Sequence, residues 1–145
     1  MSTHQKRSGS HYCMYKKMSL ELQKMLPRDK HDVQSAEALI LMGYPAVEPI
    51  IPQLLQWSQD GNWPVARVIA PFLADIGPPL APHVRMILNG ADNTWKYFLL
   101  QTVIAESIEM KRLLHPELER LARRPTASEA AEELDSIASA LLAIP

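Results

Sequence analysis

Cysteine is almost missing from this chain: Cys13 stands alone among 145 residues. No internal disulfide can form, and a Cys-x-x-Cys pair for redox work or zinc is excluded with it. The expected compartment is reducing, and we read the protein as cytoplasmic. Long apolar runs are lacking as well. Nowhere do about 18 uncharged apolar residues follow one another, as a membrane-crossing helix requires, so no membrane partner is expected. The basic residues near the N-terminus have no apolar run behind them and do not read as a secretory signal. An excess of one charge is also absent: 15 basic and 16 acidic residues leave a formal net charge of -1. That gives no general pull toward nucleic acid or anionic lipid. Only five glycines occur, none in a phosphate-cradling loop. There is no serine nucleophile elbow, no His-x-x-x-His and no Glu-x-x-His. No catalytic residue, metal ligand set or cofactor is assigned on these grounds. Finally, no segment alternates apolar and polar residues long enough to argue a strand.

What the chain has is proline, twelve of them, and a repeated hinge. The polar stretch 56–65 separates two apolar segments and holds Trp57 and Trp63, two of the three tryptophans. A weaker copy follows at Asp92-Asn93-Thr94-Trp95-Lys96-Tyr97. Asp60 to Asp92 is 32 residues, as is Trp63 to Trp95. Gly43 precedes Trp63 by 20 residues and Gly77 precedes Trp95 by 18. Such a period predicts helical hairpins stacked side by side.

In chain order, residues 1–17 carry Lys6, Arg7, Lys16 and Lys17 and show no apolar period. They read as a disordered tail, dispensable for stability. Residues 18–145 read as one helical-repeat domain, large enough for a real core. A short helix is expected over 19–26, ended by Pro27. Asp32 suits an N-cap for a helix to about Met42, with Gly43 at its C′ position. The next apolar set, from Val47 to Trp57, takes Pro49 and Pro52 in its first turns. After the hinge, Pro64 pre-sets the first helical φ, Asn62 is the better cap by chemistry, and Pro71 interrupts the helix that follows. Leu80 to Leu88 continues the pattern. Thr94 can cap a helix that fades near Ser107, and Pro116 opens another. Thr126 and Glu129 form a capping box before one long final helix, with Ala127, Ala130, Ala131, Leu134, Ala138 and Leu141 on its apolar side. Six to eight helices in all are expected.

At the level of architecture, the two hinges resemble HEAT or armadillo repeats, in which an aspartate precedes the second helix of each unit; Arg67 lies where such repeats often carry a basic residue. Residues 26–142 are more closely similar to a small bacterial family of unknown function with a HEAT-like helical fold. The strings that carry the resemblance are Leu26-Pro27-Arg28-Asp29-Lys30-His31-Asp32, Gly43-Tyr44-Pro45-Ala46-Val47, the segment 57–66 with both hinge tryptophans, Trp95-Lys96-Tyr97, and Leu118-Glu119-Arg120-Leu121 followed by Pro125, Thr126 and Glu129. The resemblance implies an all-α superhelix and no activity.

Candidate binding-surface residues follow from the hinges. Asp29, Asp32, Asp60 and Asp92 each precede an expected helix, where they either bond orphan backbone amides or converge on one edge as a ligand site. His31, between Lys30 and Asp32, is a candidate base or ligand. Trp57, Trp63 and Trp95, with Tyr97, Asn62, Arg67 and Lys96 close in sequence, supply the aromatic and basic residue types of an interface hot spot, or of a framework filling gaps between short helices. The first functional expectation is a protein-binding module with another protein as partner, of which an immunity-type protein neutralising a bacterial toxin is one form. The alternatives are a hydrolytic or metal-dependent enzyme at the hinge edge, and a DNA-glycosylase-like helical protein using Trp63, Trp95, Asp92 and Arg67. Against the last, residues 19–105 hold six basic residues and eight acids, a net -2 without a basic stripe.

Overall fold

The computed structural model describes residues 2–144, with side chains from Cys13 onward. Among these residues every regular element is a helix. Ten α-helices follow one another: α1 (Ser2–Gln23), α2 (Val33–Met42), α3 (Ile51–Gln56), α4 (Pro64–Ile76), α5 (Ala81–Leu88), α6 (Asn93–Thr102), α7 (Ile108–Leu113), α8 (His115–Arg123), α9 (Ala127–Ala131) and α10 (Leu134–Ala143). Three 3₁₀ turns, Glu48–Ile50, Pro78–Leu80 and Ile104–Glu106, lead into or away from them.

The count exceeds six to eight because single apolar segments are cut by local chemistry. The segment from Val47 becomes a 3₁₀ turn holding Pro49 and then α3, with Pro52 in its first turn, where its missing N–H costs no helical bond. Leu80 likewise ends a Pro78–Leu80 turn before α5. Ser107 does not mark a fade but a fresh start: its side chain accepts from the Met110 amide and caps α7. The long final helix is two helices, broken at Glu133, whose φ of 61° is left-handed. The reason lies in which side chains turn inward. Glu129 is buried, and so are Leu134 and Ala138, whereas Ala127, Ala130 and Ala131 are exposed. Glu129 and Ala138 are nine residues apart, about two and a half turns of an unbroken helix, which would place them on opposite faces. The turn at Glu133 lets both face the core.

The N-terminal expectation also changes. The short helix expected over 19–26 ends at Gln23, and α1 begins as early as Ser2. No proline falls within that stretch to stop it, and Gln, Lys, Met and Leu propagate a helix well. Residues 13–18 are nonetheless exposed, and the inward contact begins with Leu22.

One core holds the helices together. α2 packs on α4, α10 on α8 and α6, and α1 on the Glu48–Ile50 turn. Leu39, Ile50, Leu54, Ile69, Leu73 and Leu100 are among its largest fully buried members. Gly43 and Gly77, at φ 72° and 68°, end α2 and α4 in conformations that an L side chain resists. Pro71 lies inside α4 on its exposed side, which leaves the Arg67 carbonyl without an amide to bond.

Candidate functional site

The first hinge begins where α3 unwinds. The amides of Trp57, Ser58 and Gln59 bond back three residues rather than four, to Leu54, Leu55 and Gln56. The Asp60 carboxylate then accepts from the Asn62 amide at 2.9 Å, a local Asx turn. Asn62, the expected cap, is exposed and does not cap α4. Trp63 occupies the N-cap with extended backbone and no side-chain cap bond, and Pro64 takes the first helical position. A capping side chain is less needed there, because proline has no amide to satisfy and the Val65 amide bonds the Lys30 carbonyl at 3.1 Å. Gly61 lies against Phe98: a Cβ at this position would collide with the ring.

Two grooves flank this hinge. On one side the half-buried rings of Trp57 and Trp63 meet edge to face, centroids 5.8 Å apart and planes at 71°. With Leu26, Pro27 and the amides of Gln53, Gln56 and Gln59 they line a groove of about 360 Å³. On the other side a cavity of about 510 Å³ runs between α4 and α6. Ala66, Ala70 and Ala74 floor it, and Arg67, Asp75 and Glu106 stand at its rim.

The second hinge is built differently. Asp92, rather than Thr94, caps α6: its carboxylate accepts from the Trp95 amide at 3.0 Å. The Trp95 indole N–H donates to the buried Ser58 hydroxyl at 3.0 Å, which in turn donates to the Leu55 carbonyl. Trp95 therefore clasps the second hinge to the first, and its ring packs against the core. Asp92 meets the expectation that hinge acids accept amides at the following helix start, whereas Asp60 serves its own hinge. Asp92→Ala should cost about 1 kcal/mol of stability, and Asp60→Ala about half of that. Urea denaturation of both variants checks the order; equal losses would contradict the assignment of only one of them as a helix cap.

Lys96 is the largest departure from a surface site. Its side chain is 3% exposed, and its ammonium meets Glu129 at 2.9 Å. Arg120 grips the same carboxylate through both terminal nitrogens, at 3.1 and 2.8 Å, and the Thr126 amide adds a fourth partner at 2.8 Å. The Arg120 hydrogen bonds first, then those from Thr126 and Lys96, hold the Glu129 carboxyl far below the usual carboxylate range against the opposing effect of burial. The capping box is legible in the sequence, but this ion cluster is not among the sequence-based expectations. A signal was present: Lys96, Leu99, Leu100 and Val103 share one helical face at i, i+3, i+4 and i+7, so a lysine sits in the buried stripe of α6.

The remaining candidates scatter. Asp32 caps α2 through the Ser35 amide and hydroxyl. The Arg28 amide first, then the Ser35 hydroxyl, lower its pKa to about 2. Asp29 accepts from the His31 amide at 2.8 Å, so the pair forms a turn, and both are exposed. Arg67 is exposed at the rim of the larger cavity, and Tyr97 stands edge to face with Phe98. Among the described residues, no three His, Cys, Asp or Glu side chains come together in a way that could hold a metal ion, and no helix is long and apolar enough to cross a membrane. Of the sequence candidates, the structure brings together Trp57 with Trp63, joins Asp29 to His31 and Asp60 to Asn62 in local turns, and links Asp92 to Trp95 and Lys96 to α9.

No curated protein matches this chain. A family model does, over residues 25–142, which takes in both hinges, the Lys96–Glu129–Arg120 cluster and the capping box and begins after the end of α1. On that match the chain belongs to the family described as a domain of unknown function, DUF5071.

Proposed function

We propose that this is a protein-binding module of stacked, HEAT-like helical hairpins that acts in the bacterial cytoplasm, and that it meets its partner through the Trp57–Trp63 groove. The observation that supports this reading is the pairing of two half-exposed tryptophans with three glutamine amides in a groove of about 360 Å³. Tryptophan faces give large contact area at low entropic cost, and glutamine amides both donate to and accept from a peptide backbone. Proline or an aliphatic residue packs on the accessible faces of such a ring pair, so the favoured occupant is an extended, weakly charged segment. The immunity-type form of this reading makes the occupant part of a bacterial toxin, held in a stable complex that silences it.

The test compares wild type with Trp63→Ala and Gln56→Ala as bait for partners from a native lysate, followed by affinity measurement on the purified partner. A hot-spot tryptophan should weaken binding by at least about 2 kcal/mol, roughly thirtyfold, while circular dichroism stays helical. A partner held equally by folded Trp63→Ala and Gln56→Ala proteins would remove this groove from the account.

A further inference from the structure

Beside the ion cluster lies a second polar groove of about 490 Å³, distinct from the hinge grooves. Lys96, Arg120 and Glu129 lie at its floor, and Asn89, Asn93, Thr126 and Ser128 at its rim. The bookkeeping of donors and charges inside it does not balance. Glu129 accepts four hydrogen bonds: two from Arg120, one from Lys96 and one from the Thr126 amide. Its two oxygens have about four lone-pair sites, so the carboxylate is saturated. Lys96 has three N–H donors, and the hydrogen bond its side chain makes among the described residues is the one to Glu129. Two cations thus share one anion, and one of those cations is almost wholly buried with unused donors. Asp92, next to the groove in sequence, is engaged with the Trp95 amide. A buried ammonium with spare donors is costly unless an acceptor reaches it.

We propose that this groove binds a phosphate or phosphate monoester group. Such a group brings the missing negative charge and several oxygen acceptors at once. The spare Lys96 donors meet it at the floor. The Asn93 amide and the Ser128 hydroxyl, already 3.1 Å from each other, meet it at the rim. Arg120 gives two N–H donors to Glu129 and one to the Leu88 carbonyl, so it fixes the counter-ion while Lys96 acts as the point charge. The groove's volume leaves space for a small organic group beyond the phosphate.

Inorganic phosphate, phosphoserine and adenosine monophosphate are titrated into the full chain at neutral pH by calorimetry, with sodium chloride at matched ionic strength as control. All three should bind and chloride should not; a monoester that binds more tightly than phosphate identifies the source of the group. The Asn93→Ala/Ser128→Ala double variant alters only the rim and should weaken phosphate at least about tenfold, the equivalent of one good hydrogen bond to a charged group. Lys96→Met should abolish binding, and should it fail to fold, the rim variant decides. No heat from any of the three ligands, or a folded rim variant that binds phosphate as wild type does, overturns the proposal.

Discussion

Glu129→Ala should destabilise the protein by about 3–5 kcal/mol, the usual cost of removing one member of a buried ion cluster. The loss has two sources. Lys96, 3% exposed, is left as a buried charge without its partner. The α9 capping box loses the side chain that accepts the Thr126 amide. Glu129→Gln keeps the shape and one acceptor, so it should lose less. Converting Lys96, Arg120 and Glu129 together to apolar residues of similar size should recover much of the stability, since apolar replacement of a whole buried cluster is often neutral or better. Acid should act on the same cluster. A carboxyl whose folded pKa is lowered stabilises the fold fully above its unfolded pKa, near 4.5 for Glu129, and loses that contribution as pH falls below it. Asp32 adds to the trend between its ordinary 3.8 and about 2. Wild type should therefore lose stability steeply below about pH 4.5, and Glu129→Gln should follow a flatter curve. Chemical denaturation between pH 3 and pH 7, as an order-of-magnitude range around that transition, measures both.

Trp95→Ala should cost about 3 kcal/mol, the lower end for a core tryptophan because the ring is only partly buried. The change empties packing against the core and removes the indole donor from the buried Ser58 hydroxyl. Trp95→Phe keeps most of the ring and should lose about 1 kcal/mol, the hydrogen bond alone. Thermal and denaturant unfolding check both. An exposed contact residue would behave otherwise: Trp95→Ala would unfold like wild type and lose partner binding, which is the behaviour assigned to Trp63.

The helical class, the Asp32 cap, Gly43 at a helix end, Pro64 at a helix start and the Thr126–Glu129 box were all legible in the sequence. Each depends on residues within four positions of one another, so the physics is local. The break at Glu133 was not. It has no glycine or proline to announce it, and it exists because Glu129 must face Lys96 and Arg120 while Leu134 and Ala138 face the core. Those partners come from α6 and α8, 33 and 9 residues away. The hinge tryptophans divide for the same kind of reason. Trp57, Trp63 and Trp95 carry equal weight as residue types, but Trp95 finds Ser58 37 residues back, and the first two find each other. Asn62 has the chemistry of a cap. The backbone instead placed Trp63 there, because Pro64 and the Lys30 carbonyl reduce what a cap has to satisfy.

The second hinge ties its indole N–H to the buried Ser58 hydroxyl as a clasp, whereas among the described residues the indoles of the first hinge donate to none. Hydrogen exchange of the three indole N–H groups, followed by two-dimensional NMR, tests this difference directly. The account predicts one slowly exchanging indole, lost from the spectrum of Trp95→Phe and accelerated by Ser58→Ala, beside two that exchange fast because no described residue accepts from Trp57 or Trp63. Three indoles exchanging at one common rate, or protection residing on Trp57 or Trp63 rather than Trp95, would contradict it.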